Sequence, residues 1–523
     1  MAVVKGLEDA FGALGHYSIV SFALIAFVVV LSINYYSSYA RQQKFAKEHG
    51  CKPVAAKFPH KDPIFGIDQI YSRIQSSKRH TLLEDGLKNF RKLGTTFSAK
   101  VFGLNIISTI EPENVKTILS LKFKDFGIGN REKTLGRLLG RGIFTSDGEP
   151  WSHSRAMIRP NFARDQVADL DAFERHIQTL FKLLPRDGSK VDLQEYFFKF
   201  TIDSATEFLF GTSTATLKAS ASGDSSTSSE AGFAVAFNHA QDSVAKRGRI
   251  GLLRAFYRDP AGDESIRICH EFVDQYVDEA VRYRERIEDL EKKGGEPKEE
   301  KYVFLHELAR QIKDKKQLRD ELLNVLLAGR DTTASLLSNM WFVIARRPDI
   351  FAKLRAEVEE TLQGRTPTYQ ELRNMKYLKY CMNESLRLHP VVPANSRVAY
   401  HDTFLPLGGG KDGKSPLFIK AGTIVAYWTY AMHRRYDYYG EDADEFKPER
   451  WESLRPGWEY LPFNGGPRIC LGQQYALTEA GYVTVRLLQE FQNVETRDPE
   501  QWAESLTLTL CSKNGTQVAL TPA

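Results

Sequence analysis

Residues 10–40 contain no Asp, Glu, Lys or Arg, and residues 17–33 are almost wholly apolar. A run of roughly 20 apolar residues is enough to cross the hydrocarbon layer of a membrane as a helix. Tyr35, Tyr36 and Tyr39 come next as interfacial aromatics, and then Arg41, Lys44, Lys47 and Lys52. More positive charge on the C-terminal side places the remainder of the chain in the cytosol. A cleaved signal peptide competes with this reading. Glu8 and Asp9 stand against it, and the apolar run is not closed by a clean small-residue cleavage site. The expected division is a membrane anchor, residues 1–40, and one body, residues 41–523.

Along the body, apolar positions recur with helical spacing from about residue 150 to residue 388. Residues 266–290 predict one amphipathic helix, with Cys269, Phe272, Val273, Tyr276, Val277 and Ala280 on a single face. Residues 315–346 predict a longer helix, about 48 Å at 1.5 Å per residue. Arg346 and Arg347 suit its C-terminal dipole, and Pro348 stops it. Between residues 391 and 430 the pattern shifts toward short strands, broken by the glycine-rich run 407–413. Residues 505–521 alternate like a hairpin with Asn514-Gly515 as its turn. The stretches 212–232 and 291–300 are too polar to bury and predict loops between helices. A mainly α body with small sheets at its edges is the expected class.

Composition narrows the function more than the fold. A net charge of +5 over 523 residues makes no case for nucleic-acid binding. Five cysteines (51, 269, 381, 470 and 511) form no Cys-x-x-Cys pair, which argues against a zinc site and against a disulfide framework. The body is expected in a reducing compartment.

One of those cysteines stands apart. Cys470 ends the run Phe463-Asn464-Gly465-Gly466-Pro467-Arg468-Ile469-Cys470, with Gly472 and a helical-looking stretch directly after it. A thiolate offered from the mouth of a helix is stabilised by the peptide dipoles and can ligate a metal. The glycines let backbone approach a flat ligand, and Arg468 is placed for an anionic group on it. Midway along the long predicted helix lies Ala328-Gly329-Arg330-Asp331-Thr332-Thr333. Gly and paired threonines are poor helix-interior residues, and such a broken local rule often marks a site. Asp331 beside Thr332 is the acid and alcohol that a proton relay to dioxygen requires. The competing reading is a helix irregularity in which threonine hydroxyls bond back one turn. Trp151 and Arg155 are four apart on one helix face, which Ser146 or Asp147 could cap and Pro150 could open. Glu384 and Arg387 are three apart on another helix.

Together these segments resemble the cytochrome P-450 superfamily, through its Phe-x-x-Gly-x-Arg-x-Cys-x-Gly haem signature, its oxygen-activation motif and its Glu-x-x-Arg pair. The resemblance runs from the anchor to the end. It is nearest to the fungal alkane- and fatty-acid-hydroxylating subfamily, on residues 328–334, 407–413 and 463–480. There are two departures: a Pro-Pro-Gly-Pro hinge after the anchor is absent, and Tyr475 stands where that subfamily commonly has Phe.

The resemblance implies a single α-rich haem domain, with Cys470 as axial ligand of the haem iron and Phe463 and Arg468 at the cofactor. Trp151 and Arg155 would hold a haem propionate, and Arg397 is a further candidate for that task. Asp331 and Thr332 would be catalytic. Glu384, Arg387 and Arg450 would form a structural ion network. The implied enzyme is a monooxygenase in the endoplasmic reticulum membrane, single-pass, with its catalytic domain cytosolic. A membrane-bound NADPH–cytochrome reductase would supply electrons, with cytochrome b5 as a further donor, and the substrate would be lipophilic. A haem-thiolate isomerase, a haem sensor and a secondary-metabolite tailoring enzyme are the competing functions at this point.

Overall fold

A computed structural model describes residues 2–162, 170–222, 229–250, 257–294 and 302–523. Helix α1 (Ala2–Glu48) is longer than the expected anchor. Its segment Ser21–Glu48 has a mean hydropathy of 1.6 over its most apolar stretch, none of which is buried, so it is long and apolar enough to cross a membrane. The helix passes residue 40 because Phe45 packs on Phe404 and Phe418 of the body, with ring centroids 6.5 and 5.9 Å away. The last turns of the apolar helix therefore already belong to the body's surface.

The helices that build the interior are, in chain order, α2 (Arg131–Leu139), α3 (Gly148–Ile158), α4 (Leu193–Phe210), α5 (Thr216–Ser222), α6 (Ser229–Arg249), α7 (Pro260–Lys292), α8 (Lys315–Ile344), α9 (Lys376–Leu388) and α10 (Gln473–Glu490). The long helix α8 begins at Asp314, whose carboxylate accepts from the Gln317 N–H at 2.6 Å, and ends two residues short of the expected position. Arg346 then donates to the Phe342 carbonyl, and Pro348 opens the next helix, Pro348–Leu362. Most side chains of α8 from Leu318 to Ile344 are buried, so it is a core axis about 45 Å long. Its most extensive helix contact is with α4. In α7 the expected apolar face is the buried one: Cys269, Phe272, Val273, Val277 and Ala280 lie inside.

Two loop expectations change. Residues 212–232 include α5 and the start of α6, because the Asp203 carboxylate accepts from the Thr216 and Leu217 N–H groups and nucleates a short helix on α4. Residues 295–300 of the second expected loop lie outside the described residues, and α7 runs to Lys292 before it.

The strands are peripheral. A six-stranded sheet takes the order β1 (Ala56–Lys57), β2 (Thr96–Val101), β3 (Leu104–Thr109), β9 (Ile424–Tyr427), β6 (Asn395–Ala399), β4 (Phe126–Gly127). A three-stranded sheet joins β10 (Phe491–Thr496), β13 (Gln517–Pro522) and β5 (Val191–Asp192), and β7 (Thr403–Gly409) pairs with β8 (Ser415–Ile419) across the glycine-rich run. The C-terminal hairpin differs from expectation: β11 (Glu504–Leu506) pairs with β12 (Leu510–Ser512), so its turn is at residues 507–509. Asn514-Gly515 turns the chain out of that hairpin and into β13, which pairs with β10 and β5 instead. Period-2 patterning cannot say which strand is the partner.

Candidate active site

The cysteine loop has one conformation open to it. Asn464 and Gly466 take left-handed backbone angles, with φ 63° and 67°. A Cβ on Gly466 would sit 1.9 Å from the Leu119 carbonyl oxygen, so only glycine fits there. Residues Gly466–Arg468 make a single 3-10 turn, and the Cys470 N–H donates to the Phe463 carbonyl at 3.0 Å. That bond holds the sulfur three residues ahead of α10. Cys470 is crowded by protein atoms yet presents an exposed surface to a cavity of about 300 Å³. Burial raises its thiol above the ordinary range, opposed by the Gly472 N–H and by Arg155. The helix mouth alone therefore does not ionise it. A coordinated cation would.

Further expected residues reach the same cavity: Phe463 from the loop, and Trp151 and Arg155 together from α3. Arg397 (β6) and Arg468 join them. The Trp151 ring has two cations near it, the Arg468 guanidinium 4.2 Å from its centroid and that of Arg155 5.9 Å away. Asp147, expected as a helix cap, does different work. It accepts from Arg468 at 2.5 Å and from the Ile128 N–H at 2.8 Å, and α3 starts with no side-chain cap, ahead of the expected opening at Pro150. Arg131, at the first residue of α2, also lines the cavity and donates to Asn395. Burial, followed by repulsion from Arg397, pushes Arg131 down to about 10; burial does the same to Arg468. No motif marks Arg131, and only the tertiary structure brings it in.

Four guanidiniums on an otherwise apolar cavity are costly unless anionic groups meet them. A thiol, a cationic rim and apolar walls fit a flat, largely apolar cofactor that carries carboxylates and a thiophilic metal.

On α8, Thr332 lines the cavity together with Ala328, Gly329, Thr333 and Leu336, and its hydroxyl donates to the Ala328 carbonyl at 2.7 Å. Asp331 does not line it. The Asp331 carboxylate is buried and paired with Arg330 at 2.8 Å, because one residue along a helix turns the side chain about 100° away. Burial raises its acid, with Arg330 opposing. Gly329 serves packing as well as the cavity: an added Cβ would meet the Ala205 Cβ of α4 at 3.4 Å.

The expected ion network exists away from the cavity. Glu384 accepts from Arg387 at 2.8 and 2.9 Å, from Arg450 at 3.0 Å, from the Trp451 indole at 3.0 Å and from the Lys447 N–H at 2.9 Å. Arg387 also reaches the His433, Ala443 and Glu445 carbonyls. The Glu384 and Arg387 side chains are wholly inaccessible.

The family model for cytochrome P-450 matches residues 63–518. The chain belongs to the cytochrome P-450 family. Its relatives include the cytochrome P-450 monooxygenase fsdH of Fusarium heterosporum, 47% identical over 96% of this chain and 89% of that protein. The cytochrome P-450 monooxygenase himC of Aspergillus japonicus is 48% identical over 96% and 90%. Cytochrome P-450 52A4 of Candida maltosa is 51% identical over 80% of this chain and 79% of its own. The protein is thus a cytochrome P-450 monooxygenase, an oxidoreductase with a haem-thiolate cofactor, and the α-rich class with small sheets is the one its sequence predicted.

Proposed function

We propose that this P-450 hydroxylates a long aliphatic chain at or near its methyl end, in a fatty acid, an alkane or an alkyl-bearing metabolite. The observation that carries the reading is the cavity itself. Cys470 and the cationic residues line it together with apolar side chains such as Ile158, Phe208, Leu209, Val325 and Val391. The subfamily resemblance and the likeness to cytochrome P-450 52A4 support the aliphatic substrate. The near full-length likeness to fsdH and himC, whose names give no substrate, leaves a tailoring role on a secondary metabolite as the second reading.

Haem would be held by Cys470 at its iron and by Arg131, Arg155, Arg397 and Arg468 at its carboxylates, with Trp151 and Phe463 against the ring. When bound it supplies dioxygen activation, and thiolate ligation favours O–O cleavage. Thr332 is the cavity-side alcohol; it offers its hydroxyl once it leaves the Ala328 carbonyl. Asp331 supplies the acid of the pair only when its ion pair with Arg330 opens. Residues 1–40 anchor the protein in the endoplasmic reticulum membrane and residues 41–523 act on the cytosolic side. A membrane-bound reductase delivers electrons from NADPH, with cytochrome b5 as a further donor.

The test is to incubate the protein and a reductase with twelve- to eighteen-carbon fatty acids and the matching alkanes, and to map the hydroxyl by mass spectrometry. Terminal or near-terminal hydroxylation is expected. Turnover of neither, with turnover of a polyketide or peptide extract, moves the substrate to secondary metabolism. In the same assay Cys470→Ala should abolish the thiolate-type carbon monoxide spectrum, and Thr332→Ala should lower product formed per NADPH while haem binding stays.

A further inference from the structure

Nine residues beyond Cys470, α10 buries a carboxyl that the haem site does not use. Glu479 is 1% exposed, and among the described residues neither of its oxygens has a partner at full hydrogen-bond geometry. Its nearest polar groups are the hydroxyls of Ser204 on α4 and Thr333 on α8, which draw its acid down in part without closing a full bond. The Thr333 hydroxyl is likewise buried and unmatched. Ser204 in turn meets the Tyr475 hydroxyl at 3.1 Å. Thr333 and Tyr475 both line the cavity. Three helices therefore converge on one acid surrounded by alcohols.

An ionised carboxylate at this depth, with no cation against it among the described residues, is disfavoured by several kcal/mol. The neutral acid is favoured: burial pushes Glu479 up to about 8. A neutral carboxyl carries one O–H donor and keeps acceptor capacity, so it can donate to one hydroxyl and accept from the other. Tyr475 lengthens this ladder by one hydroxyl, where the related subfamily commonly has Phe.

We propose that Glu479 is a positioning residue: a neutral acid that bridges Ser204 and Thr333, fixes the cysteine helix α10 against α8, and so holds Thr332 in register with the cavity. It acts through Thr333, the residue next to Thr332, and touches no reacting atom. The proposal rests on the haem-thiolate monooxygenase reading. A thiolate-type carbon monoxide spectrum of the unaltered protein checks that reading before any variant is compared.

The experiment uses the full chain in membranes with a reductase and dodecanoic acid as probe. It measures hydrogen peroxide released per NADPH consumed, alongside the carbon monoxide spectrum. Glu479→Gln keeps the shape and one neutral donor, and should stay within about twofold of the unaltered protein. Glu479→Ala and Thr333→Val should keep the thiolate spectrum and raise peroxide per NADPH by roughly two- to tenfold, the range set by one lost neutral hydrogen bond. The double variant should be no worse than either single one, because both remove the same contact. Unchanged peroxide yield in Glu479→Ala overturns the proposal, as does a Gln variant as uncoupled as the Ala variant, or additive effects in the double variant. If Glu479→Ala does not fold, Ser204→Ala decides it: Ser204 does not line the cavity, so a raised peroxide ratio with an intact spectrum reports the bridge, and an unchanged ratio overturns it.

Discussion

Glu384 and Glu479 are both fully buried carboxyls in helices, and the fold treats them in opposite ways. Glu384 has five donors arranged around it, two arginines among them, and sits in a rigid knot of α9 and the Pro448–Glu452 turn. Glu479 has no charged partner among the described residues that bears on it, only alcohols on α4 and α8. A buried charge survives when donors saturate it; without them the group keeps its proton. The first arrangement resists movement. The second holds through neutral hydrogen bonds alone, each worth less than a bond to a charged group, between helices that wall the cavity.

The sharpest way to break the contrast is to remove one member of the saturated set. Arg387→Ala leaves Glu384 buried with a partner missing, and should cost about 3–5 kcal/mol in chemical denaturation, with loss of haem retention. Trp451→Phe deletes only the indole donor to that carboxylate; about 1.5–3 kcal/mol is expected, the worth of a hydrogen bond to a charged group. A loss no larger than that of an ordinary surface substitution would mean that Glu384 is not held as an anion.

A pH series separates the two sites. Glu479 lies near 8 in the fold against 4.5 for an exposed glutamate. Between those values the folded chain keeps a proton that the unfolded chain has released. Stability should therefore fall as pH rises through that window, by at most about 1.4 kcal/mol per unit from this group. Thermal unfolding from pH 5 to 8 should show a shallower decline in Glu479→Gln than in the unaltered protein. Parallel curves would place Glu479 among the ionised groups. The smallest effect belongs to Ser204→Ala, about 0.5–1.5 kcal/mol, because only neutral hydrogen bonds are lost and Thr333 remains.

Much of this was legible in the chain. The apolar N-terminal run, the amphipathic face of residues 266–290, the long helix and the cysteine loop follow from periodicity and from glycine and proline placement, which are local properties. The haem-signature residues cluster in sequence because one short loop must present a thiol, and Gly466 can be nothing else against Leu119. Polarity misled where one carboxylate changed the outcome: Asp203 turned an expected loop into helix α5.

What no local pattern contained is which distant groups meet. Arg131 enters the cationic rim through its hydrogen bond to Asn395, 264 residues away, and Asp147 serves Arg468 and Ile128 across 321 and 19 residues instead of capping its own helix. Asp331 was legible as the neighbour of Thr332, but helix geometry turns it away and Arg330 claims it. The sequence by itself determined the family, the thiol and the helical frame, since these rest on residue type and spacing. Tertiary packing alone decided which charges share the cavity, and that Glu479 is left among alcohols with its proton.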